Sequence, residues 1–246
     1  MTHTYNNWIP DPIDTRDHLF KITSFIKDQP TQVDLTPRCS AVEDQGALGS
    51  CTGNAIVGAI ECMKFRGKKV TDLSRLFVYY NERVMENTVH EDSGAIIRDG
   101  IKSIADLGVC TEKTWPYKIE KFAVQPSKTA YKTALSKKIK SYERIITLDD
   151  MTAALAMGKP FVFGFSVYES FESDIVAGTG MMPMPNPSER LLGGHAVLAV
   201  GYDKTKRLFK VRNSWGTTWG DAGYFYMPFD FITNQNYASD FWSITV

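Results

Sequence analysis

The sequence has no excess of charge of either sign and no long apolar run. Its 246 residues include 28 Lys plus Arg and 28 Asp plus Glu, so the overall charge gives no reason to expect nucleic acid or a membrane surface as a partner. No segment approaches the length of a membrane span, and residues 1–14 contain no apolar run of signal-peptide length. The 43% apolar fraction still suffices for a buried core. We therefore expect a globular protein with neither a nucleic-acid nor a membrane partner.

The sequence also has little that suggests an oxidising compartment. It contains four cysteines and no Asn-x-Ser/Thr glycosylation acceptor in which x is not proline. If Cys51 must remain a thiol, at least one of Cys39, Cys62 and Cys110 stays unpaired, and we expect all four to be free thiols. These absences favour a protein of the cytoplasm or one exported by a signal-independent route, and they leave the compartment undecided. We expect neither a metal site nor a cofactor.

Hydrophobic periodicity predicts a helical part of the chain followed by a part made of strands. Apolar residues recur at intervals of three and four over 51–66, and Gly67 provides a helix stop. Further helices are predicted over 73–85 and 94–107, whereas the polar stretch 118–142 is predicted to run over the surface. Beyond about residue 141 the chain is richer in β-branched and aromatic residues, which favour strands.

These patterns predict an α+β fold of two lobes with a cleft between them. We assign residues 1–33 to an N-terminal extension, residues 34–142 to a helical lobe and residues 143–246 to a strand lobe. The extension is interrupted by prolines but keeps apolar anchors, so we do not expect a free tail. The anchors are Trp8, Ile9, Leu19, Phe20, Phe25 and Ile26.

One predicted hairpin bears on the function. Residues 196–201 and 207–212 read as strands around a turn centred near Lys204. Residues at equal distances from a hairpin turn face each other in an antiparallel pair. His195 and Asn213 each lie nine residues from Lys204, so the register predicts that they lie opposite each other.

Three residue types in a particular order indicate a cysteine hydrolase. Cys51 precedes His195 by 144 residues, and Asn213 follows 18 residues later. This spacing suits a nucleophile near the start of a domain with its base and orienting amide far downstream. We expect a helix N-terminus and the imidazolium of His195 to lower the pKa of the Cys51 thiol.

The remaining roles follow from the same chemistry. His195 would take the thiol proton and return it to the leaving amine, and Asn213 would fix the imidazole ring. The Cys51 backbone N–H and the Gln45 side chain are the candidate donors to the oxyanion. Trp215 would shield the bond between His195 and Asn213 from water.

Several motifs resemble those of the papain family of cysteine peptidases. They are Gln-Gly-x-x-Gly-Ser-Cys at 45–51, Gly-His-Ala-Val at 194–197, Asn-Ser-Trp-Gly at 213–216 with Trp219-Gly220 and Gly223-Tyr224, and Gly108-Val109 with Glu112 and Trp115-Pro116-Tyr117. The resemblance covers roughly residues 33–246. It implies a papain-like fold, with a helical lobe and an antiparallel β-barrel-like lobe on either side of the cleft. It also implies peptidase activity on peptide or protein substrates, with Cys51, His195, Asn213 and Gln45 in the four catalytic roles.

The resemblance also implies substrate-binding positions. Gly94 stands where the family lines its cleft with a Gly-Gly pair, which makes it the candidate backbone partner for bound peptide. Gly193 and Gly194, beside His195, leave room for a bulky apolar substrate side chain, and Trp215 completes the candidate set.

The sequence departs from the family at two neighbouring positions. Leu48 replaces a usual disulfide cysteine, and Thr52 replaces the usual aromatic residue after the nucleophile. Only 50 residues precede Cys51, so we expect no long helical propeptide. These departures resemble the bacterial or viral branch of the family.

Other functions remain open. A cysteine amidase or transpeptidase would use the same residues, and a catalytically idle binding module would keep only the fold. The N-terminal extension has either a structural role on the strand lobe or a self-inhibitory role in the cleft. We expect a monomer.

Overall fold

A computed structural model describes residues 8–22, 29–65 and 71–246. The helices of these residues are α1 Cys51–Lys64, α2 Arg75–Glu86, α3 Ile97–Leu107, α4 Lys128–Ala134, α5 Leu148–Ala156, α6 Asp174–Thr179 and α7 Phe229–Ile232. The strands are β1 Trp8–Ile9, β2 Gln32–Asp34, β3 Ala95–Ile96, β4 Ser141–Arg144, β5 Phe161–Tyr168, β6 Leu191–Asp203, β7 Leu208–Arg212, β8 Tyr224–Pro228 and β9 Ala238–Thr245. The predicted helix stop at Gly67 and the anchors Phe25 and Ile26 lie outside the described residues.

Helix α1 is buried on nearly every side because it lies between the other helices and the sheet. Twelve of its 14 residues are buried. Its glycines allow close packing, since a Cβ added to Gly53 would stand 2.9 Å from the carbonyl oxygen of Arg75. The helix ends at Lys64 because Phe65 adopts an extended conformation with φ −60° and ψ 129°.

The second and third predicted helices are confirmed, with shifted boundaries. Helix α2 begins after Ser74, whose Oγ accepts the N–H of Phe77 at 3.1 Å. Helix α3 begins three residues later than predicted, because Gly94 has φ +72° and the two residues after it form β3. It ends at Gly108 as predicted, where the Gly108 N–H still donates to Ile104.

The stretch 118–142 does not only run over the surface, as its polar composition had suggested. It contains α4, which begins after the capping residue Ser127. Ala130 and Ala134 lie one turn apart on this helix and are buried in a small cluster with Phe77 and Cys110. Two alanines among lysines give too weak an apolar pattern to predict a packed helix face.

The strand lobe is an antiparallel sheet that does not close into a barrel. Its order is β4-β9-β5-β6-β7-β8, and β2 pairs with part of β6. Among the described residues, β4 and β8 at the two ends of this path do not pair with each other. The prediction of helices followed by antiparallel strands is confirmed, whereas the division at residues 33 and 142 stays a prediction.

The register of the hairpin formed by β6 and β7 differs from the predicted one. Asp203 pairs with Leu208, and a bulge between Ala199 and Gly201 shifts the pairing so that Leu198 pairs with Arg212. His195 therefore has no residue of β7 opposite it and pairs instead with Phe165 on β5. The predicted register was wrong because the turn is centred between Thr205 and Lys206 and not at Lys204. Alternation of apolar residues reveals neither the centre of a turn nor a bulge.

Two features of the described residues bear on the class of protein. No helix among them is long and apolar enough to cross a bilayer. Cys39, Cys51, Cys62 and Cys110 form no disulfide bond in the structure.

Candidate active site

Cys51 is the first residue of α1 and is fully buried. Side chains that are distant in the sequence hold the turn before it. The Gly49 N–H donates to both carboxylate oxygens of Asp92 at 3.0 Å, and Ser50 Oγ lies 2.6 Å from the hydroxyl of Tyr117. The first N–H groups of a helix have no partner within the helix. The turn therefore fixes the thiol beside backbone donors.

Gln45 is oriented at both ends of its side-chain amide. Its Nε2 donates to the carbonyl oxygen of Leu48 at 2.9 Å, and its Oε1 accepts the Ser214 hydroxyl at 2.5 Å. The Gln45 backbone N–H also donates to the Ser214 carbonyl at 2.8 Å. An amide NH₂ group carries two N–H donors, so Gln45 has one more donor than Leu48 uses.

His195 and Asn213 meet although they are not paired in the sheet. His195 lies on β6, Asn213 directly follows β7, and His195 Nε2 is 2.8 Å from Asn213 Oδ1. The imidazole ring stacks on Trp215, with ring centroids 4.9 Å apart and 24° between the planes. The ring of Phe165 packs edge-to-face with the imidazole, with ring centroids 5.8 Å apart. The predicted bond therefore forms, and Trp215 packs on the ring it was expected to shield.

The hydrogen bonds of Asn213 assign the tautomer of His195. Asn213 Oδ1 also accepts the Ser214 N–H at 2.8 Å, so the atom facing His195 is the amide oxygen. An oxygen can only accept, so His195 Nε2 carries the proton and donates it. Nδ1 is then the unprotonated ring nitrogen, whose lone pair can accept a proton.

The two sides of the cleft meet at the sulfur of Cys51. The Ala196 N–H donates to Cys51 Sγ at 3.3 Å, so the residue that follows His195 contacts this sulfur. Burial raises the pKa of the Cys51 thiol to about 12, although the Ala196 N–H acts in the opposite direction. The expected lowering of this pKa is therefore absent in this arrangement, because the cost of burying a thiolate outweighs the N–H donors.

Two of the candidate substrate positions, Gly94 and Gly194, lie close to Trp8 of the N-terminal extension. Gly94 is buried, and its N–H donates to the hydroxyl of Tyr79 at 3.3 Å. The next residue, Ala95, pairs with Trp8 in the two-stranded parallel sheet of β1 and β3. A Cβ added to Gly194 would stand 2.8 Å from the Trp8 ring, and one added to Gly164 would stand 2.0 Å from it. Trp8 thus fills the space beside Gly194 that the sequence had predicted for a substrate side chain.

The other candidate, Gly193, pairs with Val167 on β5.

Among the described residues, no group of three or more His, Cys, Asp and Glu side chains is arranged to hold a metal ion.

Sequence reasoning missed several residues that support the site. Asp92 and Tyr117 hold the turn before Cys51, and Ser214 orients Gln45. Ser214 could have been inferred from its place beside Asn213. The contacts of Asp92 and Tyr117 join residues more than 40 positions apart, and no local pattern marks such a pair.

The geometry defines a class: a cysteine hydrolase with a thiol at a helix N-terminus on one lobe and an imidazole–carboxamide pair on the other. Known proteins agree with this class. The family model of the papain family cysteine proteases matches residues 29–240. An uncharacterized peptidase C1-like protein of Acanthamoeba polyphaga mimivirus is 45% identical over 245 residues, which cover 92% of this chain and 78% of that protein.

Solved structures extend the comparison. Xylellain, a cysteine protease from Xylella fastidiosa, is 42% identical with a TM-score of 0.93, over 99% of this chain and 97% of that one. A digestive procathepsin L 3 of Tenebrio molitor has a TM-score of 0.73 at 21% identity over 94% of this chain and 75% of that one, which supports the fold alone.

More distant relatives share part of their length with this chain. A cathepsin L-like peptidase of Aedes aegypti is 31% identical over 204 residues, which cover 79% of this chain and 58% of that protein. The chain belongs to the papain family of cysteine proteases. Its viral and bacterial relatives confirm the expected branch.

Proposed function

We propose that Cys51, His195, Asn213 and Gln45 hydrolyse peptide bonds through a covalent acyl-enzyme. The observation that carries this proposal is that the Nε2 of His195 is held by Asn213 at 2.8 Å while the adjoining Ala196 N–H contacts Cys51 Sγ at 3.3 Å. Nδ1 of His195 is thereby left to serve the thiol as a base. Papain-like proteases act on peptide substrates, and we extend this to the present chain.

The proposed reaction follows from these positions. His195 Nδ1 takes the thiol proton, and the thiolate of Cys51 attacks the substrate carbonyl carbon. The Cys51 backbone N–H and the Gln45 amide donate to the oxyanion. The C–N bond then breaks as the imidazolium gives its proton to the leaving amine. Water, deprotonated by His195, attacks the thioester, and the thiol is released with its proton restored.

The rival enzymes differ in their substrates. An amidase would act on small amides, and a transpeptidase would pass the acyl group to an amine instead of water. Initial rates on a panel of peptides and small amides, with and without an added amine, separate these activities from hydrolysis of peptides. The assembled site argues against an idle binding module, because all four functional side chains are present and oriented.

Covalent labelling tests whether Cys51 is the nucleophile. We expect an epoxide or vinyl-sulfone peptide probe to label the protein once, at Cys51, and to leave Cys51→Ala unlabelled. Cys39→Ser is the matched control, because Cys39 is the least buried of the other thiols. Labelling that survives Cys51→Ala and is lost in Cys39→Ser would assign the reactive thiol elsewhere.

We also propose that the space occupied by Trp8 receives a bulky apolar substrate side chain. Gly164 and Gly194 leave room there for a large ring, and Trp8 already fills it. Gly94, Gly193 and Trp215 keep their proposed roles beside it. A positional-scanning peptide library should show a preference for large apolar residues, and a preference for acidic ones would contradict this assignment.

The same contacts favour a self-inhibitory role for part of the N-terminal extension. Trp8 lies against Gly194, which precedes His195, whereas Phe20 is buried on the strand lobe, where its N–H donates to the carbonyl of Arg144 at 2.8 Å. The two expected roles are thus divided along the extension. The part nearer to Trp8 would cover the cleft, and we call this part the lid. The expectation of a monomer still rests on the sequence alone.

Two substitutions separate the lid from the structural part. Trp8→Ala should raise kcat/KM for peptides and speed labelling of Cys51, because it empties the cleft. Phe20→Ala is the matched control, since it should lower the melting temperature without speeding the labelling. Unchanged kinetics in a folded Trp8→Ala protein would contradict the lid.

A further inference from the structure

A buried cluster of five charged side chains joins residues 8–17 of the N-terminal extension, here called the segment, to the rest of the protein. Asp11 and Asp17 come from the segment, Arg98 from α3, Arg144 from β4 and Asp240 from β9. Their side-chain exposures range from 0% for Asp11 to 17% for Arg144. We call these five residues the charge cluster.

Arg144 contacts all three carboxylates of the charge cluster. The distances are 2.7 Å from Nη2 to Asp11, 2.9 Å from Nε to Asp17 and 3.3 Å from Nη1 to Asp240. Arg98 Nη1 also contacts Asp17 at 3.1 Å, and the Arg98 backbone N–H donates to Asp11 at 3.2 Å. One guanidinium therefore holds both ends of the segment and Asp240 together.

Asp240 is the point where the charge cluster reaches the lid. Its Oδ2 accepts the indole N–H of Trp8 at 3.2 Å and the backbone N–H of Asp11 at 2.9 Å. Asp240 takes φ +59°, a conformation that a non-glycine residue rarely adopts. The carboxylate is thereby held against the segment that places Trp8 beside Gly194.

With every member ionised, the charge cluster carries one excess negative charge. Three carboxylates face two guanidinium groups, and Asp11 and Asp240 share one of them. Buried carboxylates that share a site disfavour a second ionisation, so the site favours taking up a proton. Removing the segment would take away Asp11 and Asp17 and leave Asp240 paired with Arg144.

The surrounding charges do not remove this excess. Asp14 and Arg16 of the segment pair with each other at 2.7 Å. On α3, burial and the negative charge of Asp11 raise the pKa of Asp99, whereas Lys102 lowers it. Tyr142 on β4 is a further titratable neighbour, and its pKa is raised, chiefly by burial, so it stays neutral.

We propose that the charge cluster is a pH-sensitive latch that holds residues 8–17 on the cleft more tightly at mildly acidic pH than at neutral pH. This inference rests on the proposed lid function of the segment. The lid closes with uptake of a proton by the charge cluster and opens with its release.

The direction follows from the linkage between proton binding and closure. Burial, followed by the charge of Asp11, raises the pKa of Asp240 to about 6. When the segment leaves, water reaches Asp240 and the charge of Asp11 is gone, so the pKa falls towards its ordinary value of about 3.9. A state that binds a proton more tightly is favoured as the pH falls. The closed state therefore gains as the pH drops through 6 and loses this gain above it.

Hydrogen exchange measures the lid without requiring catalysis. We would compare backbone exchange over residues 8–17 at pH 5, 6, 7 and 8 in the Cys51→Ser protein, after correction for the intrinsic pH dependence of exchange. Protection should rise by roughly tenfold between pH 7 and pH 5, because over this range only the closed state takes up the proton. Because Cys51→Ser is inactive by design, failure of the proposed chemistry would not affect this measurement.

Two variants remove the excess charge from opposite sides. Asp11→Asn and Asp240→Asn should each flatten the dependence of protection on pH. Asp230→Asn is the matched control, since Asp230 forms an exposed pair with Arg207 at 2.6 Å outside the charge cluster, and it should keep the wild-type slope. Arg144→Gln should weaken protection at every pH.

Three outcomes would overturn the latch. Protection that is flat from pH 5 to pH 8 removes the pH response, and protection that falls with acidification reverses its sign. A wild-type slope in both Asp11→Asn and Asp240→Asn assigns the response to other groups.

Discussion

The two sides of the cleft position their functional groups by different means. On the nucleophile side, Gln45 and Cys51 lie within seven residues, and one turn with its hydrogen bonds to Leu48 and Asp92 fixes them. On the imidazole side, His195 is placed by strand pairing, and its partner Asn213 arrives from another strand. A local turn thus prepares the thiol, whereas the packing of a whole sheet prepares the base.

The two sides are joined by few but specific bonds. Gln45 exchanges hydrogen bonds with Ser214 through both its backbone and its side chain. The neighbouring residues Asp44 and Trp215 form an isolated antiparallel bridge. Because Ser214 follows Asn213, a displacement of the imidazole side would also disturb Gln45. Gln45, the proposed oxyanion donor, is therefore the residue that connects the two kinds of positioning.

The largest effect should come from removing the nucleophile itself. Cys51→Ala should reduce kcat by about 10⁵-fold or more, the scale seen when a covalent nucleophile is deleted. The fold should be retained, because alanine fits the buried position and the thiol supplies chemistry rather than a structural bond. Initial rates with a fluorogenic peptide and the melting temperature together check this. Residual turnover above one per cent would contradict the role of Cys51.

The connection between the two sides is tested by Gln45. Gln45→Ala should lower kcat by about 10²–10³-fold, which is typical for the loss of one oxyanion donor. Ser214→Ala is the comparison, since it removes the hydroxyl that orients Gln45 and leaves the donor in place, so a smaller loss is expected. Equal kcat values for Gln45→Ala and the wild-type protein would show that the oxyanion is held elsewhere.

The imidazole side should respond more weakly at a single orienting residue. A hydrogen bond to a charged group contributes about 1.5–3 kcal/mol, so Asn213→Ala should lower kcat by about ten- to a hundredfold. The acid limb of the rate–pH profile should also move, because Asn213 stabilises the protonated ring. A rate–pH profile unchanged in Asn213→Ala would mean that stacking on Trp215 alone orients the imidazole.

The smallest effect on the rate is expected at a residue that acts on stability instead. Glu82 on α2 is fully buried, its Oε2 accepts the hydroxyl of Thr52 at 2.7 Å, and burial raises its pKa to about 8. The folded protein therefore holds this proton up to about pH 8, whereas the unfolded chain releases it near pH 4.5. Between these values stability should fall as the pH rises, by at most about 1.4 kcal/mol per pH unit.

Glu82→Gln tests this assignment on the nucleophile side. The neutral amide has the shape of the protonated carboxyl group, so the variant should lose less melting temperature than the wild type between pH 5 and pH 8. Glu143→Gln on β4, which is only partly buried, is the control. Identical dependence of melting temperature on pH in Glu82→Gln and the wild type would contradict a buried proton at Glu82.

The sequence by itself determined the order of helices and strands, the three principal helices and the four catalytic candidates. It could do so because helix periodicity and the motifs around Cys51, His195 and Asn213 are local patterns. The resemblance of these motifs to the papain family added the fold, and the family comparisons confirmed it.

Only the tertiary structure decided the register at His195, the support of Cys51 by Asp92, and the place of Trp8 beside Gly194. A bulge in β6, a carboxylate 43 residues from Gly49, and an indole whose N–H meets Asp240 232 residues away leave no periodic trace in the sequence. The same holds for the pKa of Cys51, which the helix N-terminus and the imidazolium of His195 were expected to lower. Burial raises it instead, because the cost of a charge depends on everything that surrounds it, and only the folded chain brings those surroundings together.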